Sequence, residues 1–466
     1  MNIGKIFSGK RWTFWPFVIS LMIAGGMYFF LPESCSEPAR RTAFIFTLAA
    51  CFWATEAVPH YATSILVVLL LIFMLGLPDG ILEFGPEGYK AFLIPFSSPV
   101  IILFFGGFVI ARALHKYKLD VYITDQLLLR FGTHPLMVMM GIMVTTAFLS
   151  MWISNTAATA IMLGLVEPLL SQTERDDPFR KGLVLGVPFS ANVGGVGTPI
   201  GTPPNIIALG NLSKAGHGTL SFGEWMCMGV PLAIVLAMVA FLVLVALFPL
   251  KDKSLRFSLP KFSTFPKQGI GVFSIFVIVV LLWLTSRLHG ISEAPISLFG
   301  VTLLIVGGFI NRDDINSLPW DVLILMWGGL ALSVGMEKSD LTNWVVKLSM
   351  FQVSGMLLVA AFCVIAFAFS TFMSNTATAA LLIPIAISIP GENPIYLAIT
   401  MALACSVAMS FPISTPPNAL AFSKGHITAR DMLKAGLPVS LISLLIVLLF
   451  FRFAVNLGIC TCSTCY

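Results

Sequence analysis

Apolar runs long enough to cross a bilayer recur along the whole chain, from Phe14 to Leu31, around Val100 to Ile110, and through Val230 to Leu250, Phe273 to Thr285 and Leu437 to Phe451. At about 1.5 Å of rise per residue they suit roughly 30 Å of hydrocarbon, and they predict spanning helices with no large soluble domain between them. Small and polar residues interrupt the pattern at four places. "LSMWISNTAATA" from Leu149 and "FSTFMSNTATAA" from Phe369 each lie between two apolar arms. "GGVGTPIGTPPN" from Gly194 and "SFPISTPPN" from Ser410 each interrupt the next long apolar segment.

The arms of the first Ser-Asn-Thr segment are Pro135 to Ile153 and Ala157 to Leu170; those of the second are Ser354 to Met373 and Ala377 to Ile389. The C-terminal arms are short for a full crossing. Both flanks of the first pair are rich in Lys and Arg, so the chain enters and leaves on one side. Each pair therefore reads as a re-entrant hairpin whose polar tip sits at mid-membrane, tolerable only if buried in protein or lining a wet cavity. Pro lacks an amide donor and Gly permits unusual dihedrals, so the two Thr-Pro-Pro-Asn stretches are expected to open their helices in the middle.

These features come in order, twice. "FFGGFVIARALHKYKLD" from Phe104 is followed by the first Ser-Asn-Thr and Thr202 to Asn205; "MWGGLALSVGMEKSDL" from Met326 is followed by the second and Thr415 to Asn418. With the N-terminus in the cytoplasm, the first Gly-Gly helix runs outside to inside and the second inside to outside, so the halves are inverted. Inverted repeats with broken helices are the build of secondary transporters, which bind substrate and coupling ions near the midplane. The expected organisation is scaffold helices and the first Gly-Gly helix over 1–134, the first hairpin and broken helix over 135–210, connecting helices with the second scaffold and Gly-Gly helix over 211–353, the second hairpin and broken helix over 354–425, and a last helix and tail over 426–466.

Composition agrees. The 466 residues are 57% hydrophobic and 11% charged, with mean hydropathy +0.94, whereas soluble domains carry roughly a quarter charged residues. That balance fits a polytopic, all-α protein of the plasma (inner) membrane. Most of the 27 Lys and Arg fall in 1–13, 112–134, 171–181, 251–267, 311–320 and 424–434, which the positive-inside rule puts in the cytoplasm with the N-terminus. The net charge of +5 follows from this bias and implies no nucleic-acid partner. The first run follows Lys5, Lys10 and Arg11 but lacks a small-residue cleavage site before "LPESCSEP", so it reads as a helix and not a signal peptide. Cys460, Cys462 and Cys465 have no accompanying His and read as an incidental tail.

An open turn inside the membrane leaves carbonyls that suit cations and amides that suit anions. Ser150 and Ser154 stand four apart, as on one helix face, and with Asn155 and carbonyls near Gly201 they offer a neutral oxygen cage fit for a desolvated sodium ion. Ser370, Ser374 and Asn375, with carbonyls near Ser414, repeat it. A single such tip would read as interhelical hydrogen bonding worth about 0.6 kcal/mol; two inverted copies with matched breaks point to a site. No His lies mid-span, and Glu56, Glu167 and Glu293 sit near helix ends, so sodium is expected over a proton relay. No Arg or Lys adjoins either motif, which leaves amides, hydroxyls and the sodium charges to hold an anion.

These motifs resemble the divalent anion:sodium symporter family, the bacterial di- and tricarboxylate carriers, over nearly the whole chain. The resemblance implies about eleven transmembrane helices plus two re-entrant hairpins, a homodimer joined by scaffold domains among membrane lipids, elevator-type movement, and C4-dicarboxylates such as succinate as substrates with co-transported sodium. Motif by motif, it puts one sodium at Ser150, Ser154, Asn155 and Gly201 and another at Ser370, Met373, Asn375 and Ser414, with Met373 and Ser414 acting through backbone carbonyls. Ser370 stands where family members often have Thr. Asn155, Thr156, Thr202, Ser374, Asn375, Thr376, Thr415 and Pro416 would meet the substrate. A sodium-independent exchanger or a sulfate or citrate carrier on the same fold is the alternative within transport. An intramembrane hydrolase lacks its nucleophile-base or zinc motif here, and an anion channel needs no paired cation cages.

Overall fold

The computed structural model describes residues 11–77, 82, 87–174, 176–216, 218, 220–251, 255–258, 264–347, 355–389 and 393–456; the cysteines at 460, 462 and 465 lie outside them. The elements are helical, with no strand among the described residues. The principal helices are α1 (Arg11–Phe30), α2 (Glu37–Thr55), α3 (His60–Leu71), α4 (Pro99–Lys116), α5 (Leu119–Leu128), α6 (Pro135–Ser150), α7 (Asn155–Leu170), α8 (Phe179–Gly194) and α9 (Pro203–Lys214). They continue with α10 (Phe222–Leu247), α11 (Ile270–Leu284), α12 (Glu293–Val306), α13 (Trp320–Lys338), α14 (Met356–Phe372), α15 (Asn375–Ile387), α16 (Pro394–Ser406), α17 (Pro416–Ser423) and α18 (Ala429–Asn456). Among the described residues five helical stretches are long and apolar enough to span a bilayer, namely Lys90–Lys116, Phe222–Leu247, Lys267–Leu284, Trp320–Lys338 and Ala429–Phe450. Large apolar side chains such as Phe30, Leu242 and Leu281 face outward, which costs little only where the surroundings are lipid.

The chain forms two contact units. One comprises 1–101, 207–217 and 319–402, the other 102–206, 218–318 and 403–466. Each unit joins the leading helices of one repeat to the Gly-Gly helix and hairpin of the other. In the first, α13 lies against α3 so closely that a Cβ on Gly328 would come 2.3 Å from Ser64 Cβ, and Gly329 meets Ala380 of α15 at 2.8 Å. In the second, Gly106 of α4 receives Ser297 of α12 at 2.5 Å and Gly107 meets Ile200 at 3.3 Å. Consecutive glycines thus admit two neighbours on adjacent faces of one helix; a Cβ on Gly106, Gly328 or Gly329 would push its neighbour back, while at Gly107 the Ile200 side chain need give only slightly.

Glu56 stands at a helix end, as expected from its place in the sequence. "TEAVP" separates α2 from α3, Glu56 having a left-handed φ of 50°, and the carbonyl and ring of His60 bond back to Trp53, its O accepting from Trp53 Nε1 at 3.2 Å. Pro59 cannot continue α2, so the chain restarts at His60.

Candidate functional site

Each hairpin is two helices meeting at a tip. In the second unit α6 ends at Ser150 and α7 begins at Asn155; in the first, α14 ends at Phe372 and α15 begins at Asn375. Ser154 and Ser374 are N-caps, each accepting from the amide three residues on, Ala157 and Ala377, at 3.2 Å. The expectation that Ser150 and Ser154 share one helix face is therefore corrected. A Ser followed by Asn-Thr supplies an amide acceptor at the start of a helix and stops the preceding one. What faces Ser150 is Asn155, across the tip.

Ser150 Oγ donates to Asn155 Oδ1 at 2.5 Å, and Ser370 Oγ donates to Asn375 Oδ1 at 2.7 Å. The repeats reproduce one device. Ser150 Oγ is also 2.7 Å from Ala191 O, yet a hydroxyl has one proton. When that proton goes to Ala191 O, two acceptor oxygens confront each other at the tip, a neutral pair whose lone pairs suit a cation that both could coordinate from one side. Gly201 O belongs to the same cluster: a Cβ on Gly195 would stand 2.8 Å from Asn155 Oδ1 and 3.1 Å from Gly201 O. Ser150, Asn155 and Gly201 are thus brought together around a cradle that a methyl group would fill.

The broken helices explain how. After α8 the chain makes a turn at Gly195–Gly197 and restarts with Pro203 as the first residue of α9. None of Gly194, Gly195, Gly197 and Gly201 has a positive φ, which corrects the expectation of unusual dihedrals. They serve close approach: a Cβ on Gly194 would lie 2.3 Å from Ala147 O, and one on Gly197 would lie 2.8 Å from Met151 Cε. Thr198 Oγ1 then donates to Met151 O at 2.6 Å, fastening the break to the hairpin tip. Asn205 Nδ2 donates to Gly195 O and Thr198 O at 3.0 and 2.9 Å; Asn418 Nδ2 does the same for Met409 O and Phe411 O, both at 3.0 Å. These amides satisfy carbonyls that an interrupted helix exposes.

Thr202 and Thr415 are buried, Thr156 and Pro416 exposed. Asn155, Thr156, Thr202, Thr415 and Pro416 belong to one contact unit, in which α17 packs against α7 and α8. Ser414 is buried in that unit, its Oγ accepting from Phe411 N at 3.2 Å. Ser370, Met373, Ser374, Asn375 and Thr376 belong to the other unit, with Met373 extended (φ −114°) between the arms. Sequence reading missed Asn192, Thr198 and the fastening role of Asn205 and Asn418. The available signal was a polar amide in "FSANVGG", inside an otherwise small and apolar stretch.

A family model described as "Sodium:sulfate symporter transmembrane region" matches residues 11–458. The chain is 31% identical over 476 residues to a sodium-dependent dicarboxylate transporter, SdcS, of Staphylococcus aureus, covering 93% of this chain and 89% of that one. It is 32% identical over 425 residues to an uncharacterized transporter of Haemophilus influenzae, covering 85% and 88%. Among solved structures, the YdaH transporter of Alcanivorax borkumensis superposes with TM-score 0.59 at 14% identity over 86% of this chain and 99% of that one. The Neisseria gonorrhoeae efflux pump MtrF gives 0.56 at 14% over 92% and 96%, so the fold is that of membrane transporters. With its paired hairpins, broken helices and a match over nearly its whole length, the chain belongs to the sodium:sulfate symporter transmembrane family.

Proposed function

We propose that this transporter imports C4-dicarboxylates of the succinate type across the plasma membrane together with sodium ions. The carrying observation is the repeated tip, in which Ser150 meets Asn155 and Ser370 meets Asn375 in the same geometry. The relatives called sodium-dependent dicarboxylate transporters support this choice of cargo. One tip serves one end of a dicarboxylate. Thr156 and Thr376 donate to the carboxylates, Asn155 and Asn375 give an amide hydrogen to the anion and Oδ1 to a sodium ion, and Thr202, Ser374, Thr415 and Pro416 line the substrate. The first sodium takes Ser150, Ser154, Asn155 and Gly201; the second takes Ser370, Met373, Asn375 and Ser414. Two or more cations offset a dianion whose transfer through an apolar barrier would otherwise be prohibitive.

The protein works as a homodimer with its N-terminus in the cytoplasm, and the hairpins carry the loaded site across the membrane against a fixed scaffold. Uptake of labelled succinate into proteoliposomes tests the reading. Accumulation is expected with an inward sodium gradient; uptake unchanged when choline replaces sodium would refute it. The family description keeps sulfate as the second cargo, and sulfate that abolishes succinate uptake at equal concentration would favour it.

A further inference from the structure

Asn192 lies on the last turn of α8, buried, just before the first break. Its Nδ2 stands 3.1 Å from Thr415 Oγ1 and 3.2 Å from Asn418 Oδ1, both in the break of the other repeat. The neighbours fix which way this amide points. Asn418 spends its own amide hydrogens on Met409 O and Phe411 O, so its remaining side-chain atom is an acceptor and only a donor can face it. Asn192 therefore presents NH2, one hydrogen to Thr415 Oγ1 and one to Asn418 Oδ1.

Thr415 Oγ1 also caps α17, accepting from Asn418 N at 3.3 Å. A hydroxyl offers two lone pairs and one proton. Here both lone pairs face N–H donors, and what remains is the proton, which can only be donated. The second repeat has no amide at the position that matches Asn192. The offset that pairs Thr202 with Thr415 and Asn205 with Asn418 pairs Asn192 with Cys405, and Asn205 Oδ1 is buried without a hydrogen-bond partner.

We propose that Asn192 is a specificity-determining positioning residue, which locks Thr415 as an obligate donor so that this end of the site takes an ionised oxygen acceptor, a carboxylate or sulfate oxygen, while Thr202 has no amide at the matching position to lock it so. The inference rests on the reading of Thr415 as a substrate contact. The two ends of the cargo are then held unequally although the fold is built from matched halves.

The test is a double-mutant cycle on the purified protein in saturating sodium. Dissociation constants for succinate and for sulfate are measured for wild type, Asn192→Ala, Thr415→Val and the double variant, with uptake giving the KM and maximal rate. Asn192→Ala should weaken dianion binding roughly three- to tenfold, the size of one lost hydrogen bond, and raise KM with little change in maximal rate. In the Thr415→Val background it should add nothing. Asn192→Cys, copying the residue the other repeat holds at 405, should behave as Asn192→Ala and serves if that variant does not fold. Binding within about twofold of wild type for the Asn192 variants, or a double-variant loss equal to the product of the single losses, overturns the inference while the functional reading stands. A wild-type protein that binds neither dianion overturns both.

Discussion

At each hairpin tip a serine hydroxyl and an asparagine oxygen face each other, and at the first tip small groups set the space around them. Gly195 is the most exacting of them. The Cβ of Gly195→Ala would stand within 2.8 Å of Asn155 Oδ1, so this variant should lower sodium affinity on the order of tenfold, about 1.4 kcal/mol, as read from sodium activation of uptake. An unchanged activation curve would remove Gly195 and its cradle from the proposed first sodium site. Thr156→Ala and Thr376→Ala delete a hydroxyl without touching that cradle. Each should weaken succinate binding by about 0.5–1.5 kcal/mol and leave half-activating sodium unaltered at saturating succinate. The identity of these tip residues was legible because Ser-Asn-Thr interrupts apolar sequence twice. Their pairing was not: a spacing of four fits both a continuous helix and a helix stop followed by an N-cap, and only the N-cap bonds to Ala157 and Ala377 distinguish them.

The helices hold the tips through contacts whose partners lie far away in sequence. Gly106 accommodates Ser297 and Gly328 accommodates Ser64, but with different room. On Gly106 a Cβ would clash mainly with Ser297 Cβ at 2.5 Å, its Cα standing at 3.2 Å, whereas on Gly328 even Ser64 Cα is only 2.7 Å away. Gly106→Ala and Gly328→Ala should each cost about 1–3 kcal/mol by overpacking. Ser297→Gly should recover part of the first loss and Ser64→Gly little of the second, as melting temperatures in detergent would report. Equal rescue at both positions would contradict these packing distances. Sequence showed the helices, breaks and glycine pairs through hydropathy and punctuation. It could not show which serine each glycine receives, because Ser64 and Ser297 look like any small residue in an apolar run.

A polar fastening lies at the end of α4. Asp314 accepts from Arg112 Nε at 3.1 Å and Lys116 Nζ at 2.5 Å. Burial opposes its ionisation, but the hydrogen bonds from Lys116, the Asn311 amide and Arg112 prevail and hold its carboxyl below the usual carboxylate range. A depressed folded-state pKa stabilises above the unfolded value and is lost as pH falls through the folded one. Asp314→Asn should therefore cost roughly 1 kcal/mol at neutral pH, a modest figure because Arg112 and Lys116 are about a third exposed. That deficit should fade below the ordinary aspartate value of about 3.9. A deficit that persists undiminished in acid would show that the carboxylate charge is not its source.

Across the whole molecule the two repeats are interleaved, each contact unit pairing the leading helices of one with the hairpin of the other. The elevator reading requires both hairpins to travel together against fixed helices at 45–75 and 295–310. Cysteine pairs between hairpin and scaffold should trap inward and outward states and stop transport, and full activity with every such crosslink closed would refute the motion. The central claim is that one asparagine at each tip serves substrate and sodium together, and sodium activation of uptake at several succinate concentrations tests it most directly. Wild type should activate cooperatively, and Asn155→Ala and Asn375→Ala should each lower succinate affinity and shift half-activating sodium upward. Weakened succinate binding with sodium activation at wild-type values in both variants would contradict it.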